Sequence, residues 1–170
     1  MNEKIKYRYD AERDRLHLAS LSPGRGKYET SWDITEDRPV GLVADLTTEG
    51  RCIGIEFWNA AEQLLPHLLP NEFQKTGIKT ALIVDYDRDS DALHLHAGKP
   101  ANYSETVIEG WVAHYDTDKD PSEEWGIGEI VGITLERAAE NFLPDLLKYE
   151  QGDQYKQERM RHFRKSGVAQ

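Results

Sequence analysis

One cysteine in 170 residues excludes an intramolecular disulfide, and Cys52 has no Cys-x-x-Cys neighbour to mark a redox or zinc motif. No apolar run approaches the roughly 20 residues needed to span a bilayer. The N-terminal "MNEKIKYRYD" also lacks the apolar core of a secretion signal. A soluble protein of the reducing cytoplasm, with no membrane partner, is therefore expected. Glycine motifs are missing too: "SPGRGK", Ser22 to Lys27, has neither the P-loop spacing nor its Lys-Ser/Thr ending, and reads as a hairpin connection. Acidic side chains outnumber basic ones, 31 to 21. The net charge is -10, and with 38% hydrophobic residues interleaved among 31% charged ones the composition is that of a folded globular chain.

The charge is unevenly placed. Residues 1–70 carry 9 basic and 12 acidic side chains, residues 71–147 carry 6 and 16, and residues 148–170 carry 6 and 3. A surface as acidic as the middle segment repels phosphate backbones and attracts basic proteins or cations. Nucleic acid is accordingly an unlikely partner for the body of the molecule, and only the basic tail, with Arg159, Arg161, Arg164 and Lys165, could contact it.

What the chain does have is a sentence written twice. "YDAERDRLHL", Tyr9 to Leu18, returns as "YDRDSDALHL", Tyr86 to Leu95. "GLVADL" from Gly41 pairs with "GWVAHY" from Gly110, and "IGIEFWNAAEQLLPHLL" from Ile53 with "VGITLERAAENFLPDLL" from Val131. Matches in the same order at three spaced places are an internal repeat.

Each copy reads as strands followed by one helix. In copy one, two alternating stretches flank the aspartate-rich turn, with further strands around Val40 to Leu46 and Cys52 to Trp58. The helix then starts near Asn59, with Asn59 as N-cap and Glu62 as capping-box partner, and Pro66 ends or kinks it. Copy two repeats the plan, with strands near 80–86, 92–97, 105–114 and 128–135 and a helix from about Arg137 to Lys148. The expected fold is α+β: two tandem ββββα repeats, each an antiparallel sheet with one helix, packed as a pseudo-twofold dimer, with a short C-terminal helix or tail. The first repeat spans 1–69, a linker 70–80, the second repeat 81–148 and the basic tail 149–170. A unit of about 65 residues buries too little apolar surface to be comfortable alone, which the second copy remedies.

The pattern Tyr-Asp-x-x-x-Asp-x-Leu-x-Leu, a Glu-Thr step (Glu29-Thr30 and Glu105-Thr106), Gly-x-Val and Gly-Ile-Glu-x-x-x-Ala resembles the bacterial domain-of-unknown-function family 2283, over roughly residues 5–65 and 82–143. The resemblance implies a compact antiparallel sheet with a helix and no established catalytic residues. It also implies, for some members, an antitoxin role beside small basic ribonuclease toxins. Copy two departs from the pattern, with Thr134 where copy one has the motif glutamate Glu56.

Several residue groups are candidates for chemistry. Asp85, Asp87, Asp89 and Asp91 alternate like the first ligands of a calcium loop, but Ser90 and His96 stand where the sharp-turn glycine and the bidentate glutamate belong. An ordinary aspartate turn is the plainer reading. His94 and His96 project from one strand face, and His17 is the counterpart of His94. With Asp87 and Asp91 they could hold a divalent metal, although no cofactor is required and a third firm ligand is not marked. The bland alternative sets Leu16, Leu18, Leu93 and Leu95 inward and leaves the histidines on the wetter face. Glu56 could act as an acid or base if buried, or anchor the helix start.

Trp32 and Trp125 lie in non-equivalent inserts flanked by acids, and the second insert carries Asp118, Asp120, Glu123 and Glu124. An exposed aromatic in an acidic loop suits protein contact, whereas packing onto the sheet is the structural alternative. The expected function is a non-enzymatic module that binds a basic protein, possible alternatives being a metal-dependent protein built on the histidine and aspartate face, or a homo-oligomeric unit.

Overall fold

The computed structural model describes residues 6–19, 28–35, 41–69, 82–117, 128–149 and 161. Trp125, Asp118, Asp120, Glu123 and Glu124, the linker 70–80 and nearly all of the basic tail lie outside the described residues. The elements run β1 (Lys6–Asp10), β2 (Arg15–Ala19), β3 (Tyr28–Asp33), β4 (Leu42–Thr47), β5 (Cys52–Trp58), α1 (Ala60–Leu68), β6 (Ile83–Asp87), β7 (Ala92–His96), β8 (Tyr103–Ile108), β9 (Trp111–Asp116), β10 (Glu129–Glu136) and α2 (Ala138–Leu146). The protein is α+β, with two antiparallel sheets ordered β1-β2-β5-β4-β3 and β6-β7-β10-β9-β8. The two halves thus share one topology.

Among the described residues each sheet has five strands, where four are expected. In the first half, β3 occupies part of what reads as an insert, so Trp32 is a strand residue opposite Ala44. In the second half the stretch 105–114 divides at Glu109-Gly110 into β8 and β9, because Gly110 takes φ 90°, a conformation that turns the chain where an alternating pattern alone would continue it.

Alternation fixes which side of each strand faces the core. Leu16, Leu18, Ile55 and Phe57 of the first sheet and Leu93, Leu95, Ile133 and Leu135 of the second are buried, and with the helix residues Leu64, Leu65, Phe142 and Leu146 they belong to one continuous cluster. The halves therefore share a core. Each also grips the other's helix. The Tyr7 ring on β1 packs edge-on against Phe142 of α2 at 4.9 Å, and its hydroxyl lies 2.7 Å from both the Asn141 carbonyl and an Asp145 carboxylate oxygen. In return, the Arg88 guanidinium donates to the carbonyls of His67, Leu68 and Leu69, satisfying acceptors that the end of α1 leaves open. Across the middle, the Tyr115 hydroxyl accepts from the buried Cys52 N–H at 3.0 Å.

The repeated aspartates explain how each helix begins. Asp14, at φ 54° in the β1–β2 turn, receives the first N–H groups of α1: its carbonyl accepts from Ala60, and its carboxylate from Ala61 at 2.7 Å and Glu62 at 3.1 Å. Asp91, at φ 53°, does the same for Ala138, Ala139 and Glu140 of α2. Tyr9 and Tyr86 donate their hydroxyls to these carboxylates at 2.5 and 2.6 Å. The capping box expected from Asn59 and Glu62 is not what is found. Asn59 makes no side-chain cap, and a carboxylate 45 residues earlier in the chain takes that role. Nor does Pro66 end the helix, which continues to Leu68.

Asn59 and Arg137, the residues just before the helices, both sit in the left-handed region at φ 55° and 53°. Asparagine visits that region readily and arginine does not. Arg137→Asn is expected to stabilise the fold by about 1 kcal/mol, read as a raised urea midpoint with unchanged slope. An unmoved midpoint would mean that Arg137 carries no strain.

Candidate functional site

The polar faces of the two sheets, opposite the core, carry the remaining candidate residues. On the first sheet His17 lies across from Glu56 and Arg8. Its Nε2 is 3.6 Å from an Asp45 carboxylate oxygen, and the other Asp45 oxygen accepts from Ser31 Oγ at 3.0 Å. Gly54 makes room for this group: a Cβ there would stand 2.7 Å from Asp45 Oδ2.

On the second sheet the matching face is built from histidines. Strand register sets His94 opposite Thr134, and His96 opposite Gly132, which is in turn opposite His114. Ser104 lies opposite His114 on the edge strand β8. The hydrogen bonds join into a chain, with Ser104 Oγ 2.7 Å from His114 Nδ1, His114 Nε2 2.7 Å from Thr134 Oγ1, and Thr134 Oγ1 2.8 Å from His94 Nδ1. Beside it, His96 Nδ1 accepts from the Gly98 N–H at 3.2 Å, so Nε2 carries the proton and donates to Asp85 at 2.9 Å. An open depression of about 290 Å³ is lined by Asp85, His94, His96, Lys99, His114 and Gly132. A second, of about 450 Å³, adjoins it at Asp85 and His94 and runs past Asp87 and Arg88 to His67 on α1.

His114 belongs to this face and was not singled out from sequence. The available signal was the alternation in "WVAHYD": Trp111, Ala113 and Tyr115 point inward and are buried, so His114 must point outward. Its approach to His94 depends on pairing with strands far away in the chain.

The metal set expected from sequence is not assembled. Among the described residues no group of three or more His, Cys, Asp and Glu side chains is arranged to hold a metal ion. His17 lies on the other sheet with Asp45. Asp91 has both carboxylate oxygens engaged by α2 and Tyr86. Asp87 is a turn former, accepting from the Asp89 N–H, and its hydrogen bonds, with Ser90 foremost, hold its carboxyl below the usual range. The turn reading of this aspartate cluster therefore describes Asp87, whereas Asp91 caps α2. Trp32 is half-buried and packs against the core instead of projecting as a contact anchor. Glu56 lies across from His17 on the half-exposed polar face.

Burial and the neighbouring charges of His94 and His96 hold the His114 pKa below its ordinary value of 6.5. The unfolded chain consequently takes up this proton first. The contribution is fully present above about pH 6.5 and is lost as the pH falls toward the lower, folded value. Thermal stability is expected to decline between about pH 7 and pH 5.5, and less steeply in His114→Asn. Parallel slopes for the two proteins would contradict the assignment.

No helix among the described residues is long and apolar enough to cross a membrane. No family model matches the chain, and neither a curated protein nor a solved structure is detectably similar to it.

Proposed function

We propose that the protein is a non-enzymatic binding module for a basic protein, antitoxin-like in its sharpest form. The observation that carries this reading is the fate of the repeated motif. Its tyrosine and second aspartate cap and brace a helix in both halves, so the duplicated residues build the fold instead of an active site. Function then falls to what the halves do not share. The largest such difference is charge, since residues 71–147 hold 16 acidic side chains against 6 basic ones. An acidic surface steers a basic partner and raises its association rate more than its affinity. The resemblance of the motif to domain-of-unknown-function family 2283 supports the same direction, as does the acidic insert with Asp118, Asp120, Glu123, Glu124 and Trp125.

The test is capture of partners by the tagged full chain at low and moderate salt, followed by titration with the purified partner. A basic protein whose binding weakens with salt is expected. Changing Asp118 and Asp120 to Asn, and Glu123 and Glu124 to Gln, together should slow its association several-fold. Unchanged association in the fourfold variant, or a metal-loaded eluate without a basic protein, would overturn the proposal.

A further inference from the structure

We propose that Ser104, His114, Thr134 and His94 form a single-proton relay on the polar face of the second sheet, a pH-sensitive device that takes up one proton and resists a second. The proposal stands on hydrogen-bond geometry and does not depend on the partner reading above.

Thr134 is the key. Its one hydroxyl lies within hydrogen-bond distance of two ring nitrogens, His114 Nε2 and His94 Nδ1. A hydroxyl has one proton to give, so it donates to one ring and accepts from the other. When both rings are neutral, this restricts the chain to two polarities. In one, Ser104 donates to His114 Nδ1, His114 Nε2–H donates to Thr134, and Thr134 donates to His94 Nδ1. Both rings are then protonated on Nε2. In the other every bond is reversed, and both rings are protonated on Nδ1. The two histidines must therefore share a tautomer, although they lie on different strands and never touch directly.

A single added proton fits either ring without loss. With His94 charged, its Nδ1–H donates to Thr134, Thr134 to His114 Nε2, and His114 Nδ1–H to Ser104. With His114 charged, both its N–H groups donate and Thr134 turns toward His94. A second proton breaks the pattern: two N–H donors face one hydroxyl, whose own proton loses its acceptor within the chain, and two imidazolium charges lie one oxygen apart. Burial, with the charges of His94 and His96, opposes a proton on the half-buried His114.

Charged groups surround the relay. On β6, Asp85 is committed to His96, whereas the exposed Asp87 feels the charge of His94. From the β7–β8 connection, Lys99 is paired with Glu129 of β10 at 3.3 Å. Glu136 and Asp116 lie at the ends of β10 and β9, two residues from Thr134 and His114 along their strands. The first sheet contains a built-in contrast. Ser31 faces Asp45 as Ser104 faces His114, and His17 meets carboxylates, so no hydroxyl there links two rings.

Ring-nitrogen NMR of the full chain between about pH 5 and pH 8 tests the relay, with six histidines to assign. In the neutral state His94 and His114 should show the same tautomer, and on acidification two steps separated by about one pH unit or more. Thr134→Val should uncouple the rings so that each titrates in a single step, and Thr134→Ser should restore the coupling. Opposite tautomers at His94 and His114, two independent single-step curves in the unaltered protein, or identical curves in Thr134→Val would each overturn the proposal.

Discussion

Asp14→Ala is expected to destabilise the protein by about 3 kcal/mol, from the lost cap, the left-handed backbone position and a stranded hydroxyl together. The Asp14 side chain receives N–H groups of Ala61 and Glu62, and its removal leaves them without that partner. Alanine at φ 54° is strained where aspartate is tolerated. The Tyr9 hydroxyl also loses its acceptor in a part-buried setting. Burial itself pushes the Asp14 carboxyl up, against the hydrogen bonds from Tyr9, Ala61 and Glu62 that pull it down. The motif is thus worth less than its bonds summed, and the loss on deletion is large because the site stays buried when the carboxylate goes.

Asp91→Ala removes the same set of bonds from a site open to water. Asp14 is 1% exposed and Asp91 is only half-buried, so the second substitution should cost roughly half as much. Urea unfolding of both variants measures the difference. An Asp91→Ala loss equal to or larger than the Asp14→Ala loss would mean that burial does not set the scale.

The first repeat on its own, residues 1–69, is expected not to persist as a folded monomer. A domain of about 60 residues buries only about 60% of the surface its unfolded chain exposes, which leaves little margin. Cutting the chain here also removes Phe142 from Tyr7, Arg88 from the end of α1 and Tyr115 from the buried Cys52 N–H. Phe57, Leu64 and Leu65, buried in the shared cluster, would lose part of their cover. Circular dichroism with sedimentation should find either no cooperative melt or self-association, and mixing in the second repeat should restore a cooperative transition. A monomeric half with a sharp melt would show that the two cores are separable.

Local pattern was sufficient for much of this architecture. The repeat, the inward Leu16, Leu18, Leu93 and Leu95, and the existence and approximate place of both helices follow from periodicities of two and 3.6 residues, which depend only on near neighbours. The strand count did not follow. β3 holds Tyr28-Glu29-Thr30-Ser31-Trp32-Asp33, polar enough to resemble an insert, and becomes a strand because β4 offers it an unpaired edge. The turn at Glu109-Gly110 was hidden inside a stretch that alternates on both sides.

What the sequence by itself determined is that the chain is written twice, which residues face inward, and that charge divides the halves unequally. What only the tertiary structure decided is the work those repeated residues do. Asp14 reaches α1 from 46 residues earlier, and Asp91 reaches α2 in the same way, since a helix end accepts any carboxylate the fold delivers to it. His114, Thr134 and His94 become one hydrogen-bonded chain only when β7, β10 and β9 pair in register, because contact between strands is set by register across the sheet and not by distance along the chain.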